Sequence, residues 1–424
     1  MKYFKRMVFS GVAVAFGVWW GAAAPPEEIK VGDPEIFKSV PAAIVSVTSP
    51  NDYIANSSQM VAKSLPPYDE VILNKEETIA YVPAKDGRIW RVDLTLNTAK
   101  PFVDVPLMAA GARLAPDNSR IIYFCASYLY GAKYPATERV GLYQLDIETK
   151  AVKPLVLDVP LSPQSGGKPK VYTGKDAPKL KNVDASRDNS RPLKFCNDLD
   201  VSSDGKRIYF TEPFSYGKPQ MGGGGTYREA VSLGRNGRVW LYDVDQGETR
   251  LVAQNFTFPD GILVEGAGEN REDSILVTET VKFRIIRMFV SGPKAGKYDA
   301  VWENLPGMPD GMDRDNNGRI WIGILKQRSS TINWIHKNPW LKPFFLRLPS
   351  GMMPVSRKTS ILALSADASR ALFYSEHDGS VLSDISVVVP GRSKLYLAAF
   401  GPKSSGFYHM PFPKKLAPRQ AAPE

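Results

Sequence analysis

A chain of 424 residues with 43% hydrophobic content and 34 glycines can build one large packed core, and its short apolar runs exclude a long-helix bundle. Lysine plus arginine exceeds aspartate plus glutamate by 54 to 44, a net charge of +10 that could attract anionic lipid. The cations are scattered and lack an accompanying series of stacking aromatics, so no nucleic acid is expected as a partner.

The first predicted element is a targeting segment. Lys2, Lys5 and Arg6 lie in a basic end, residues 1–6, followed by an uncharged run over 7–24. That run is long enough to span a bilayer, and Trp19 and Trp20 suit its far interface. Ala22-Ala23-Ala24 offers a cleavage site for a signal peptide, but Pro25 directly after it is unfavourable. An uncleaved signal anchor is therefore preferred. It gives a single-pass membrane protein with the rest of the chain on the non-cytoplasmic side; cleavage would give a secreted or periplasmic one. Residues 25–60 read as an N-terminal arm, in which "AAIVSVTSP" from Ala42 can supply a closing strand.

From residue 61 to 412 the chain repeats itself. "YDEVILNKEETIAYVPAKDGRIW" from Tyr68 and "GARLAPDNSRIIYFCAS" from Gly111 are strand–turn–strand phrases. "FCNDLDVSSDGKRIYFTEP" from Phe195 and "FPDGILVEGAGENREDSILVTET" from Phe258 follow the same order. So do "MPDGMDRDNNGRIWIGI" from Met308 and "SDISVVVPGRSKLYLAAF" from Ser383. Outer strands such as "GRVWLYDVDQGETRLVAQ" complete each unit. A period of roughly fifty residues built from small antiparallel sheets predicts an all-β, six-bladed β-propeller. Residues 413–424 form a tail.

Between the second and third units, "GGKPKVYTGKDAPKLKNVDASRDNSRPLK" reads as an exposed insertion. Cys125 and Cys196 each fall in a predicted strand. Two buried free thiols are the simpler expectation, with a disulfide between neighbouring blades open in an oxidising compartment. Gly222 to Gly225 lack a following Lys-Ser or Lys-Thr and read as a flexible loop. Asp313, Asp315, Asn317 and Gly318 imitate a calcium loop, but its twelfth position is Ile324 where an EF-hand needs glutamate. A tight turn fits better. "TINWIHKNPWLKPFFLRLP" is an aromatic and cationic insertion in the fifth unit, either packed surface, a lid, or a second membrane contact through Trp334, Trp340, Phe344 and Phe345. His336, His377 and His409 are the only histidines, and no Gly-x-Ser-x-Gly elbow occurs, which argues against a serine triad. His377, in "SEHDGS", reads as a turn residue.

Between Tyr68 and Phe400 the chain resembles the strictosidine synthase-like propellers, which include the adipocyte plasma membrane-associated proteins. More distantly it resembles the gluconolactonase and senescence-marker-protein lactonases. "NDLDVSSDGKRIYFTE", "FPDGILV", "TETVKFRIIRMFVSGPKAG", "NLPGMPDGMDRDNNGRIWIGI" and "IHKNPWLKPFF" carry the likeness. The resemblance implies a divalent ion, calcium or similar, on the tunnel axis. Its ligands would be Asn197, Asp310, Asp260 at a position usually held by Asn, and a first-blade acid that is either Asp69 or Glu70. Oxygen ligands at equivalent points of successive blades do converge on such an axis, and a hard cation takes them; the alternative is that Pro-Asp-Gly merely makes turns. In strictosidine synthase itself the last blade supplies a catalytic glutamate. Its matching position here falls near Val387, with Asp384 several residues off, so alkaloid synthesis is not expected. The leading expectation is a metal-dependent hydrolase of esters or lactones with Asp310, and secondarily Asp260, as base or nucleophile. The competing class is a non-catalytic propeller that binds a ligand or protein.

Overall fold

The computed structural model describes residues 10–11, 31–163, 165–266, 273–348, 352 and 355–417. Apart from Ser10 and Gly11, the expected anchor at 7–24 lies outside them. Among the described residues no helix is long and apolar enough to cross a membrane.

Six antiparallel sheets form a β-propeller, each entered from its innermost strand. Blade one is Ile72–Leu73, Ile79–Ala84, Arg88–Asp93 and Thr98–Asp104. Blade two is Met108–Ala115, Asn118–Ser127, Gly141–Asp146 and Val152–Val156. Blade three is Leu199–Val201, Arg207–Glu212, Gly237–Asp243 and Glu248–Phe256. Blade four is Pro259–Glu265, Ser274–Glu279, Arg284–Phe289 and Tyr298–Trp302. Blade five is Gly307–Arg314, Ile320–Gln327, Thr359–Leu364 and Ala371–His377. Blade six is Ile385–Pro390, Lys394–Ala399 and Phe407–Pro411, completed by Gln59–Val61.

The core lies in wedges between successive blades, so both faces of each sheet are buried. Ile262, Ile275 and Val277 of blade four pack on Val239 and Leu241 of blade three. Their strand neighbours Leu263 and Leu276 point the other way, onto Met312 and Ile322 of blade five. Period-two alternation between two apolar surroundings makes these strands read as continuous hydrophobic runs.

Hydroxyl side chains clasp the blades near their inner ends. Ser127 Oγ donates to the Cys196 carbonyl (2.8 Å) and accepts from its N–H (2.9 Å). Thr211 Oγ1 donates to the Asp260 carbonyl (2.9 Å) and Thr280 Oγ1 to that of Pro309 (2.7 Å). Thr359 Oγ1 accepts from the Ile385 N–H (3.0 Å), and Ser386 Oγ donates to the Asp69 carbonyl (2.8 Å). Each hydroxyl satisfies backbone groups that would otherwise be stranded between sheets.

Four local expectations are corrected. The closing strand is Gln59–Val61, with Met60 opposite Tyr408. "AAIVSVTSP" instead makes a short helix, Ala42–Val45, and a single parallel bridge from Thr48 to Tyr374 on blade five. The inter-blade insertion is not wholly a surface loop, because Lys170–Val171 and Lys179–Lys181 pair with Glu248–Phe256 at the outer edge of blade three. The glycine run does not stay a loop, since Gly224 and Gly225 open the helix Gly224–Ser232. Finally, Cys125 and Cys196 are joined in a disulfide with Cα atoms 5.0 Å apart, rather than free. It ties Cys125, in the strand Asn118–Ser127, to Cys196, 71 residues on in the segment leading into Leu199–Val201 rather than in a strand.

That bridge closes a long loop and holds the residue next to Asn197. Replacing both cysteines by serine is expected to lower unfolding free energy by roughly 4 kcal/mol from lost loop closure. Denaturant unfolding checks this, and a change below about 1 kcal/mol would remove the stabilising role.

Candidate functional site

Three innermost strands begin with the same irregularity. Pro259 pairs with Glu279 and Ile262 with Val277, so three residues advance on one strand while two advance on the other. Ala109 to Ala112 in blade two and Pro309 to Met312 in blade five show the same slip. These are β-bulges, which re-aim one side chain out of the ladder. Pro-Asp-Gly is thus a bulge signature inside the strand, not a turn entering it. Pro259 opens its strand and Pro309 sits between two register shifts, positions where a missing N–H costs least. Glycine is required by crowding: a Cβ on Gly261 would lie 2.1 Å from the Asp310 carbonyl oxygen, and one on Gly311 would lie 2.9 Å from Val387 Cβ.

The bulges turn Asp260 and Asp310 toward the axis. There they meet Asp69, Glu70 and Asn197 around one cavity of about 20 Å³, room for a single ion or water. Asn197 Nδ2 donates to Asp260 Oδ1. Thr280 Oγ1 lies 3.0 Å from Asp260 Oδ2. Asp260 and Asp310 share a hydrogen bond between their carboxyls. Burial is the first cause of high proton affinity here. It raises Asp69 to about 6 and Asp260 to about 7. Asp310 is raised well above the usual range by burial and then by the neighbouring Asp260 and Asp69 charges. Carboxyls this close cannot all ionise unless a cation balances them. A divalent cation does so with hard oxygen ligands, and the donor set fits one.

The structure separates the two first-blade candidates. Asp69 is an electrostatic neighbour of Asp260 and Asp310. Glu70, although it lines the cavity, turns away to pair with Arg113 and accepts the Val71 N–H at 2.9 Å. Arg113 also donates to the Met312 carbonyl at 2.9 Å and lies 3.7 Å from Asp200. Burial opposes its charge, but Glu70, Asp198, Asp313 and Asp200 raise its pKa well above the usual guanidinium value. Sequence reasoning missed this second layer. A lone arginine in "GARLAPD" looks like a solvent-facing residue until the carboxylates of "NDLD" and "DGMD" are brought around it.

The other expectations resolve around this centre. Val387 lines the cavity and no carboxylate replaces it; Asp384 is instead paired with Lys326. The calcium-loop imitation is a turn. Gly318 has φ +76°, and Asp315 accepts from the Asn317 and Arg319 N–H groups and from Trp321 Nε1. With Arg319 Nε at 2.7 Å as well, Asp315 has no lone pair to spare for a cation. His377 is not a turn residue but a buried strand end. Its Nδ1 lies 2.7 Å from Asp52, while Nε2 accepts from the Val381 and Leu382 N–H groups. Asp52, His377 and Asp378 cluster as metal ligands do. Because both ring nitrogens of His377 already have protein partners, this cluster reads as a clasp on the N-terminal arm, whose helix Asp52 caps.

No protein-family model matches the chain. Over 217 residues it is 32% identical to the adipocyte plasma membrane-associated protein of Danio rerio, covering 50% of each chain. Over 168 residues it is 28% identical to strictosidine synthase-like 13 of Arabidopsis thaliana, covering 40% of this chain and 39% of that one. The chain spans about half the length of the curated relatives it matches. A solved gluconolactonase from Xanthomonas campestris, 13% identical, superposes with a TM-score of 0.50 over 92% of this chain and 98% of its own. A calcium-binding regucalcin from Agrobacterium tumefaciens, 11% identical, does so with a TM-score of 0.50 over 84% and 92%. At these identities the structural likeness is one of fold. The resemblance read from the sequence is the one these comparisons find.

Proposed function

We propose that this chain is a membrane-anchored, divalent-metal-dependent hydrolase of esters or lactones, working on the propeller axis. The observation that carries the reading is the convergence of Asp69, Asn197, Asp260 and Asp310 on one cavity. Three carboxyls and an amide offer four of the six to eight oxygens calcium takes, leaving positions for water and substrate. Bound there, the ion would polarise the substrate carbonyl and lower the pKa of a water.

The chain's own groups do the rest. Asp310, at the strand bulge, holds a proton while burial and Asp260 act on it alone; ionised once a cation balances the cluster, it can take a proton from water and return it to the leaving alkoxide. Asp260 is fixed by Asn197 and Thr280, so it orients Asp310 and adds charge toward the cation. Lys85 is an electrostatic neighbour of Asp69 and Asp384, its ammonium 3.7 Å from the centre of the Phe400 ring.

One observation favours the second reading, a non-catalytic propeller that merely holds an ion: the cavity is small. Initial rates on aryl esters and lactones, with calcium and with chelator, separate the two. Calcium-dependent turnover supports the hydrolase; a bound stoichiometric ion with no turnover on any of these supports the binding propeller. Condensation of the strictosidine type has no acid–base carboxylate at Val387 to support it.

Anchoring gives its own expected result. Full-length protein should remain with membranes through a high-salt wash, whereas a chain starting at Glu27 should be released. Release of the full-length protein by salt alone would assign attachment to its scattered cations.

A further inference from the structure

The loops over the axial site carry an exposed apolar surface. Gly307 pairs with Gln327 at one end of blade five, and Asp310 lies three residues into that strand. The insertion after Gln327 therefore leaves the sheet at the Asp310 end. It folds as the helix Ser330–Lys337, capped by Ser329, then Pro339–Leu341 and the helical turn Lys342–Phe345. Its inner face packs Ile335 and Leu346 on Val231 of the helix Gly224–Ser232, which leaves blade three at the same end. Its outer face shows Trp334, 51% exposed, and Trp340, 74% exposed, with exposed Lys337 between them in sequence.

The N-terminal arm arrives on this lid. The Gly32 N–H donates to the Ser232 carbonyl at 2.8 Å, and Glu35 N–H to that of His336 at 3.3 Å. Lys342 Nζ donates to Ser232 at 3.2 Å. The Phe37 ring meets those of His336 and Phe283. Val31, 43% exposed, and Ile36, 71% exposed, add to the apolar surface. Six residues lie between Ala24, the end of the apolar run, and Val31, a reach of at most about 25 Å. If that run spans a bilayer, Val31, next to the arm's contact with the lid, cannot lie farther than this from lipid.

We propose that Trp334, Lys337 and Trp340, with Val31 and Ile36, lie in the headgroup layer of the membrane that holds the N-terminal segment, so that the tunnel mouth faces lipid. This rests on the anchor reading. Indoles flanking a lysine suit that interface, the rings in the acyl boundary and the ammonium among anionic headgroups. Beneath the lid an apolar crevice of about 70 Å³ is lined by Tyr227, Val231, Phe283, Met308 and Ile332, and Met308 is two residues from Asp310. The substrate class this favours is an amphiphilic ester or lactone that partitions into the bilayer.

The test uses full-length protein in vesicles of phosphatidylcholine and phosphatidylserine. Both native cysteines are in the disulfide, so Trp340→Cys, and separately Lys337→Cys, offers one thiol for an environment-sensitive fluorophore. Leu96→Cys is the control, in the exposed turn joining Arg88–Asp93 to Thr98–Asp104 at the opposite end of blade one. Lipid bearing a nitroxide high on its acyl chain is expected to quench the labels at 337 and 340 about twofold or more, and to leave that at 96 unchanged. No quenching at 337 and 340, or equal quenching at 96, overturns the proposal. A blue shift without quenching assigns the face to a protein partner or second copy and also overturns it. Loss of the protein from salt-washed vesicles overturns it through the anchor. No outcome depends on turnover, so failure here is distinct from failure of the hydrolase reading.

Discussion

Asp310→Asn is expected to cut ester hydrolysis by about 10² or more at saturating calcium, because it removes the candidate base while keeping shape and volume. Asp310 is the carboxyl whose proton affinity is raised most plainly by its neighbours, and it shares its hydrogen bond with Asp260. Saturating calcium restores occupancy and so separates lost binding from lost catalysis. Asp260→Asn is the control. An asparagine there can still accept from Asn197 through its oxygen, with its amide toward Thr280, and it should retain activity while holding the ion less tightly. Equal rates for the two variants at saturating calcium would deny Asp310 a catalytic role and favour a binding propeller.

Calcium should stabilise the fold by about 4 kcal/mol when present at a thousandfold excess over its dissociation constant, and that gain should depend on pH. The sign follows from the raised carboxyls. Asp69 at about 6, Asp260 at about 7 and Asp310 higher keep protons that the unfolded chain has already released above its ordinary carboxylate range. Without calcium, the native state binds more protons than the unfolded state from roughly pH 4 to above pH 7, so stability falls as pH rises through that window. Calcium replaces those protons, so its contribution should be largest above about pH 7 and shrink below about pH 6. Melting temperatures in chelator and in calcium across that range measure both slopes. A calcium gain that is the same at every pH would mean the ion sits elsewhere.

The sequence carries the propeller because the second and third strands of the blades alternate between two apolar wedges, a pattern strong enough to survive insertions. The axial residues are legible for a related reason. In blades four and five the bulge carries proline before and glycine after its turned-in side chain, which leaves the same short phrase twice. What stays hidden is decided by distant parts of the chain. Gln59–Val61 has little strand character of its own and is a strand because Phe407–His409 offers it a ladder. The Cys125–Cys196 bond depends on which blades are neighbours, and Arg113 is marked as buried only by four carboxylates from other segments. Asp69 and Glu70 are adjacent residues just before the strand Ile72–Leu73, and only the pairing of Glu70 with Arg113 tells them apart.

The most direct measurement is anomalous diffraction from crystals of the protein soaked with a lanthanide in place of calcium. One peak on the propeller axis is expected, about 2.3–2.6 Å from oxygens of Asp69, Asn197, Asp260 and Asp310. A peak at Asp52 and Asp378 with none on the axis, or no peak at all, would contradict the metal centre and the hydrolase built on it.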